Sequence, residues 1–219
     1  MTGEMSIIFS LILGYIFGSP PFGLILTRLA GGGDIRAVGS GNIGATNVLR
    51  SGRKGLAALT LLLDLAKGFL AVVVARELFV SETGGTFWAV GIAAAVGAVL
   101  GHCFSLFLKF RGGKGVATYG GVCFGLALPL GLAYAATWIG MLLLTRISSL
   151  GALSAAFVIP FIAFMMGMSE AVWPLVFLSA LIYYLHRENI RALFRGEEGR
   201  VTDPAERGLM DDQPTDDNG

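Results

Sequence analysis

The feature that most limits this chain is how its apolar residues are grouped. They run in blocks at 5–29, 56–79, 86–107, 116–145, 149–168 and 171–186, several of them close to the roughly 20 residues that carry a helix across a bilayer core. In hydrocarbon a backbone must satisfy its own polar groups, so blocks of this length and composition dictate helices. With 54% of 219 residues hydrophobic and only 14% charged, the usage is far from that of a soluble domain. The expectation is one all-α integral membrane domain over residues 1–198.

The block at 116–145 is too long for one span and short for two full ones. Pro129 and Gly131 fall near its middle, and a proline removes a backbone donor and breaks a helix. It therefore reads as two short helices in a hairpin, in a bilayer thinned locally. This makes seven transmembrane helices, with six as the alternative. The apolar run at 6–13 lacks a preceding basic region and a cleavage site, so it reads as the start of the first membrane helix rather than as a signal peptide.

Charge follows the same pattern. Arg36, Arg50, Arg53 and Lys54 follow the first block, Lys109, Arg111 and Lys114 the third, and Arg146, Arg187, Arg191 and Arg195 come later. Basic residues flank membrane helices on the cytoplasmic side, and seven spans put all of these on one face. Glu4, Glu82 and Glu170 fall opposite, with Arg76 as the exception. The N-terminus is thus expected outside and the C-terminus in the cytoplasm. A net charge of +1 implies no nucleic-acid partner. Cys103 and Cys123 lie in apolar surroundings without a CxxC or His-rich setting, so no disulfide, metal or cofactor is expected. Residues 199–219, rich in Gly, Pro and acidic groups, read as a disordered cytoplasmic tail.

Three polar segments interrupt the apolar pattern, all on the expected inner face. The first reads Gly39, Ser40, Gly41, Asn42, Ile43, Gly44, Ala45, Thr46, Asn47, Val48, Leu49, Arg50. Glycine permits positive φ and close backbone approach, so successive N–H groups can converge on an anion, while the Ser, Thr and Asn side chains add donors and Arg50 adds charge. A flexible connector is the competing reading, but it has no need of two Asn, a Thr and an Arg in fixed neighbouring places. The second segment holds Gly112, Gly113, Lys114 and Gly115 just before a helix. Free backbone donors, a helix N-terminus and a point charge suit phosphate. The spacing is not that of a Walker A loop, which argues against nucleotide hydrolysis. Lys109 and Arg111 are equally well explained as inside-positive markers.

The third segment closes the last block, from His186 to Glu197. On a helix His186 and Asn189 lie three apart and share a face. His186 either moves a proton near neutral pH or is structural, as a lone interfacial histidine more often is, and His102 leans further toward a structural role. Asp64 and Lys67, at i and i+3 inside the second block, read as a mutual ion pair, because isolated charge in a membrane is costly; either can also tether the first inner loop.

Together these segments resemble the signatures of the bacterial acyl-phosphate:glycerol-3-phosphate acyltransferases, the PlsY family, over about residues 7–198. The resemblance implies a seven-helix inner-membrane enzyme with its site on the cytoplasmic face. It would transfer a fatty acyl group from acyl phosphate to the 1-position of glycerol 3-phosphate in phospholipid synthesis, surrounded by membrane lipid, with no cofactor and no obligatory protein partner. Carried over by position, it implies Ser40, Asn42, His186 and Asn189 as catalytic residues. Gly41, Thr46, Asn47, Arg50 and Lys114 would bind substrate phosphate, together with a serine of the short turn after Arg146, for which Ser149 is a better match than Ser148.

Soluble-type glycerolipid acyltransferases place an Asp five positions after a His, but Phe107 and Arg191 stand there after His102 and His186. The expectation is therefore substrate-assisted catalysis, with Ser40, Asn42 and loop amides stabilising the oxyanion. A transporter of a phosphorylated solute is the alternative. It calls for polar groups through the bilayer midplane, whereas here they gather at one face. A phosphotransferase making lipids from CDP-alcohols would need an acidic metal-binding cluster, which the sequence lacks.

Overall fold

A computed structural model describes residues 3–80 and 87–201. Among these there is no strand. Five helical segments are long and apolar enough to cross a membrane: Gly3–Leu29, Lys54–Phe79, Phe87–Leu108, Leu128–Thr145 and Ser148–Met165. Two shorter apolar helices, Val116–Leu126 and Ser169–Leu185, accompany them. In chain order the α-helices are α1 (Gly3–Gly18), α2 (Phe22–Leu29), α3 (Ala45–Arg50), α4 (Lys54–Phe79), α5 (Phe87–Cys103), α6 (Val116–Leu126), α7 (Leu128–Thr145), α8 (Ser148–Met165), α9 (Ser169–Leu185) and α10 (Arg187–Arg195).

The first apolar block, expected as a single helix, is broken between α1 and α2. Pro20 and Pro21 lack donors and disfavour helical geometry in the residue before each. The carbonyls released at the break are met from inside the protein: Ser105 Oγ donates to Ser19 O at 2.6 Å and Lys67 Nζ to Pro20 O at 2.9 Å. The block at 116–145 also divides, but at Ala127, which is extended (φ −159, ψ 133). Pro129 stands in the first turn of α7, where its missing N–H would have had no helical partner.

Packing follows from small residues. α1 lies on α5 at backbone contact: a Cβ at Gly14 would stand 2.2 Å from Ala94 O, and one at Gly18 2.0 Å from Ala98 O. From the other side Gly97 faces Leu11 O at 2.1 Å and Gly101 faces Tyr15 O at 2.2 Å. Such small-xxx-small pairs let helices gain dispersion contact where lipid supplies no hydrophobic drive. α5 also packs on α4, α6 and α9, and α6, α7, α8 and α9 follow one another around the bundle. Their shared core includes Val72, Tyr119, Val122, Ile159, Leu175 and Ile182. The Tyr119 hydroxyl reaches Leu175 O at 3.2 Å and Ser179 Oγ at 3.0 Å, and Ser179 Oγ donates to Ala156 O at 2.6 Å, joining α6, α9 and α8. Phe157, Phe161, Phe164 and Trp173 project outward, each more than 60% exposed, as side chains facing lipid do.

A second small core of Leu24, Ile35, Ile43, Val48 and Ala57 lies under the segment between α2 and α4. The tail expected at 199–219 falls outside the described residues from 202 onward. Of the three described, Gly199 accepts from Arg50 at 3.0 Å and Val201 donates its N–H to Arg146 O at 2.9 Å.

The glycine seam generates a test. Gly18→Val drives two methyl groups into the α5 backbone and is expected to destabilise the bundle by roughly 1–3 kcal/mol, read as a lower melting temperature in detergent. Gly55→Val, where an added Cβ meets nothing within 4 Å, is the matched control.

Candidate active site

The segment after α2 is folded by its own side chains. Asn47, buried in α3, accepts from the Ser40 N–H at 3.1 Å, and its amide nitrogen faces Ile35 O, Val38 O and Asn42 O at 2.8–3.0 Å. Gly39 (φ 55) and Gly41 (φ 67) take left-handed turns on either side of Ser40. At Gly39 a Cβ would come within 2.5 Å of Asn47 Oδ1, so only glycine lets the chain wrap this amide. Asn47 thus shapes the loop that presents Ser40, Asn42, Thr46 and Arg50.

The Gly112–Lys114 stretch hangs from the end of α5, with the Gly112 N–H bonded to Cys103 O at 3.0 Å and the Gly113 N–H to His102 O at 3.1 Å. Gly115 turns with φ 80 into α6. Beneath lies a buried polar floor, in which Asp64 Oδ1 is 2.8 Å from Lys67 Nζ and 3.7 Å from His102 Nδ1. Thr118 Oγ1 stands 3.2 Å from the same histidine nitrogen. The expected Asp64–Lys67 pair is present, and Lys67 also reaches the break after α1.

These segments meet in one cavity of about 100 Å³ at one end of the bundle. Every predicted site residue except Gly41 lines it: Ser40, Asn42, Thr46, Asn47, Arg50, Lys114, Ser149, His186 and Asn189. Gly41 shapes the turn instead, its N–H bonded to Val38 O at 3.1 Å. Ser148 and Ser149 both face the cavity. Thr46 Oγ1 and Ser148 Oγ are 2.9 Å apart, and Ser149 Oγ donates to Glu198 Oε1 at 2.6 Å. Lys114 Nζ donates to Asn189 Oδ1, and Asn189 Nδ2 to Glu198 Oε1 at 2.7 Å.

Sequence reasoning did not assign Glu198, Trp138, Asp64 or His102 to this wall. Glu198 lies in an acidic stretch with no periodicity, and Trp138 sits midway along an apolar helix; neither carries a local signal. The Trp138 indole N–H is buried without a hydrogen-bond partner among the described residues, a spare donor beside the cavity. No group of three or more His, Cys, Asp or Glu gathers among the described residues.

Burial lowers the Lys114 pKa, opposed by Glu198 and Glu188 and reinforced by Arg50 and Arg187. His186 is held down to about 4, chiefly by burial and also by Lys114, against the upward pull of its bond to Ile182 O and of Glu198. Its Nδ1 is 2.8 Å from Ile182 O. A carbonyl only accepts, so Nδ1 carries the proton and the neutral ring keeps the Nε2 lone pair. Two cations, several hydroxyl and amide donors and a neutral imidazole suit an oxyanionic ligand such as a phosphate, with a nearby group able to accept or orient a hydroxyl.

A family model described as glycerol-3-phosphate acyltransferase matches residues 8–196. A glycerol-3-phosphate acyltransferase of Erythrobacter litoralis is 57% identical over 190 residues, covering 87% of this chain and 92% of that protein. One from Nitrobacter winogradskyi is 53% identical over 188 residues, covering 86% and 92%. A crystal structure of PlsY, an integral membrane glycerol 3-phosphate acyltransferase, in its glycerol 3-phosphate form, superposes with a TM-score of 0.79 at 34% identity, over 95% of this chain and 99% of the other. Its lysophosphatidic acid form superposes with a TM-score of 0.78 at 35% identity, over 89% and 95%.

The state of His186 generates a pH prediction. A pKa lowered from 6.5 to about 4 means the unfolded chain binds more protons between those values, so this residue's contribution to stability falls as pH drops from 6.5 toward 4. Nitrogen NMR of the labelled protein is expected to show His186 neutral at pH 6; an imidazolium there would overturn the assignment.

Proposed function

This chain belongs to the glycerol-3-phosphate acyltransferase family, and we propose that it transfers a fatty acyl group from acyl phosphate to the 1-position of glycerol 3-phosphate, yielding 1-acyl-glycerol 3-phosphate and phosphate. The observation that carries this reading is the meeting of Arg50, Lys114, His186 and Asn189, from three sequence-distant segments, in one anion-suited cavity. Both substrates bring phosphate, and the acyl tail stays in lipid.

The glycerol hydroxyl oxygen attacks the acyl carbonyl carbon. A C–O bond forms, the carbonyl oxygen takes negative charge, and the bond to the phosphate oxygen then breaks. Arg50 and Lys114 hold phosphate, and the Ser40 and Asn42 donors with nearby loop amides face the developing oxyanion. The hydroxyl proton passes to a phosphate oxygen of the donor, so that no strong protein base is required. Neutral His186 orients the hydroxyl, and Asn47 acts through the loop it folds.

Seven passes place the four segments that build the cavity at the cytoplasmic end, the N-terminus outside and the tail beyond 198 inside. Support comes from the basic residues gathered around those segments, where the inner face of a membrane protein carries them.

Purified protein in detergent is expected to release inorganic phosphate only when both substrates are present, without a sealed compartment, which separates acyl transfer from solute transport. Lys114→Ala loses a charge-assisted contact of roughly 1.5–3 kcal/mol and is expected to raise the apparent KM for phosphate substrates about tenfold to a hundredfold. An unchanged KM would remove Lys114 from the site. His186→Ala is expected to lower kcat yet leave residual turnover; complete loss with binding intact would make His186 the obligatory base. For topology, Leu128→Cys is expected to react with an impermeant maleimide from the outer face, and labelling only from the cytoplasm would reverse the orientation.

A further inference from the structure

The carboxylate of Glu198 lies among the groups that the site offers to phosphate. Its Oε1 accepts from Ser149 Oγ at 2.6 Å and from Asn189 Nδ2 at 2.7 Å. The next carbonyl, Gly199 O, accepts from Arg50 Nη2 at 3.0 Å. Lys114 is bonded to the other end of the same Asn189 amide. Donors from α3, α8 and α10 thus converge on a two-residue stretch of the chain's own C-terminal strap. Glu197, one residue earlier, turns to solvent and stands 3.9 Å from Arg195.

The strap leaves α10 through Gly196 in the left-handed conformation (φ 72) and is fastened beyond by the Val201 N–H to Arg146 O. With the strap in this position the cavity measures about 100 Å³. Glu198 lines this cavity together with Arg50, Lys114, Ser149 and Asn189, so the strap forms part of its wall.

We propose that Glu198 is a built-in anion that occupies the phosphate subsite and is exchanged for substrate phosphate, so that it sets which anions the site accepts. This rests on the phosphate reading given above. A phosphate presents more charge and more acceptor oxygens than one carboxylate, so it compensates the donors that Glu198 releases. A small monoanion gains nothing by the exchange. Reclosure of the strap over the same donors also helps to expel the inorganic phosphate left after transfer.

Glu198→Gln keeps the side-chain shape and an acceptor oxygen but removes the competing charge. In the full-length enzyme it is expected to make inhibition by inorganic phosphate about tenfold tighter, an effect of about 1.4 kcal/mol, with a lower KM for glycerol 3-phosphate. Glu197→Gln, the same charge change on the exposed neighbour, is expected to stay within about twofold of the parent. A merely structural Glu198 predicts the opposite sign, because damage to the site weakens phosphate binding; unchanged or weaker inhibition in Glu198→Gln overturns the proposal.

If that variant does not fold, hydrogen exchange on the unaltered enzyme reads the same event. Saturating inorganic phosphate is expected to speed exchange of the Val201 amide, and unchanged or slower exchange overturns the proposal. Absence of acyl transfer by the unaltered enzyme would instead refute the functional reading, independently of the strap.

Discussion

The structure depends on one constraint, that no backbone polar group stays unpaired in hydrocarbon. Helices satisfy it along their length, but the chain also has to stop, turn and bind polar ligands. It confines that irregular backbone to the ends of the bundle and, at the cavity end, meets the exposed groups from inside. The carbonyls of Ser19 and Pro20 are met by Ser105 and Lys67, and the Gly112 and Gly113 amides by the last carbonyls of α5. The same device that ends the helices builds the cavity walls.

The polar floor has a part in both tasks. Asp64, Lys67 and His102 are each less than 5% exposed, and ionisable groups at such depth persist only when paired. Lys67 joins the ion pair to the break after α1, and His102 joins it to the start of α6 through Thr118 and to Gly113, which packs against its ring. Removing one partner would strand the other at a cost of about 3–5 kcal/mol, so this triad resists piecemeal change.

The cavity's charge is balanced rather than simply positive. Arg50 and Lys114 supply cationic character, and Glu198 returns part of it within the same ring of hydrogen bonds. A site made only of donors and cations would hold any anion and release phosphate slowly. With His186 kept neutral by burial, the site brings no second titrating cation to the reaction near neutral pH.

Much of this was legible in the chain itself. Membrane-length apolar blocks, a split within 116–145, the Asp64–Lys67 pair and the polar segments that line the cavity follow from local rules on solvation, proline and charge, because each is a property of neighbouring residues. Tertiary structure alone decided the rest. The break at Ala127, with Pro129 left in the first turn of α7, is met by Arg76 of α4, which donates to Gly125 O and Leu126 O, and the break that Pro20 and Pro21 impose on the first block is met by Lys67 and Ser105. Asn47 became the keystone of its loop because Gly39 and Gly41 bring the backbone around it. Ser148 joined Ser149 at the cavity because α3 packs nearby. Glu198 entered the site only because α10 and the strap fold back over α8. Contacts between residues tens or hundreds of positions apart are set by the closing of the bundle, and no local pattern records them.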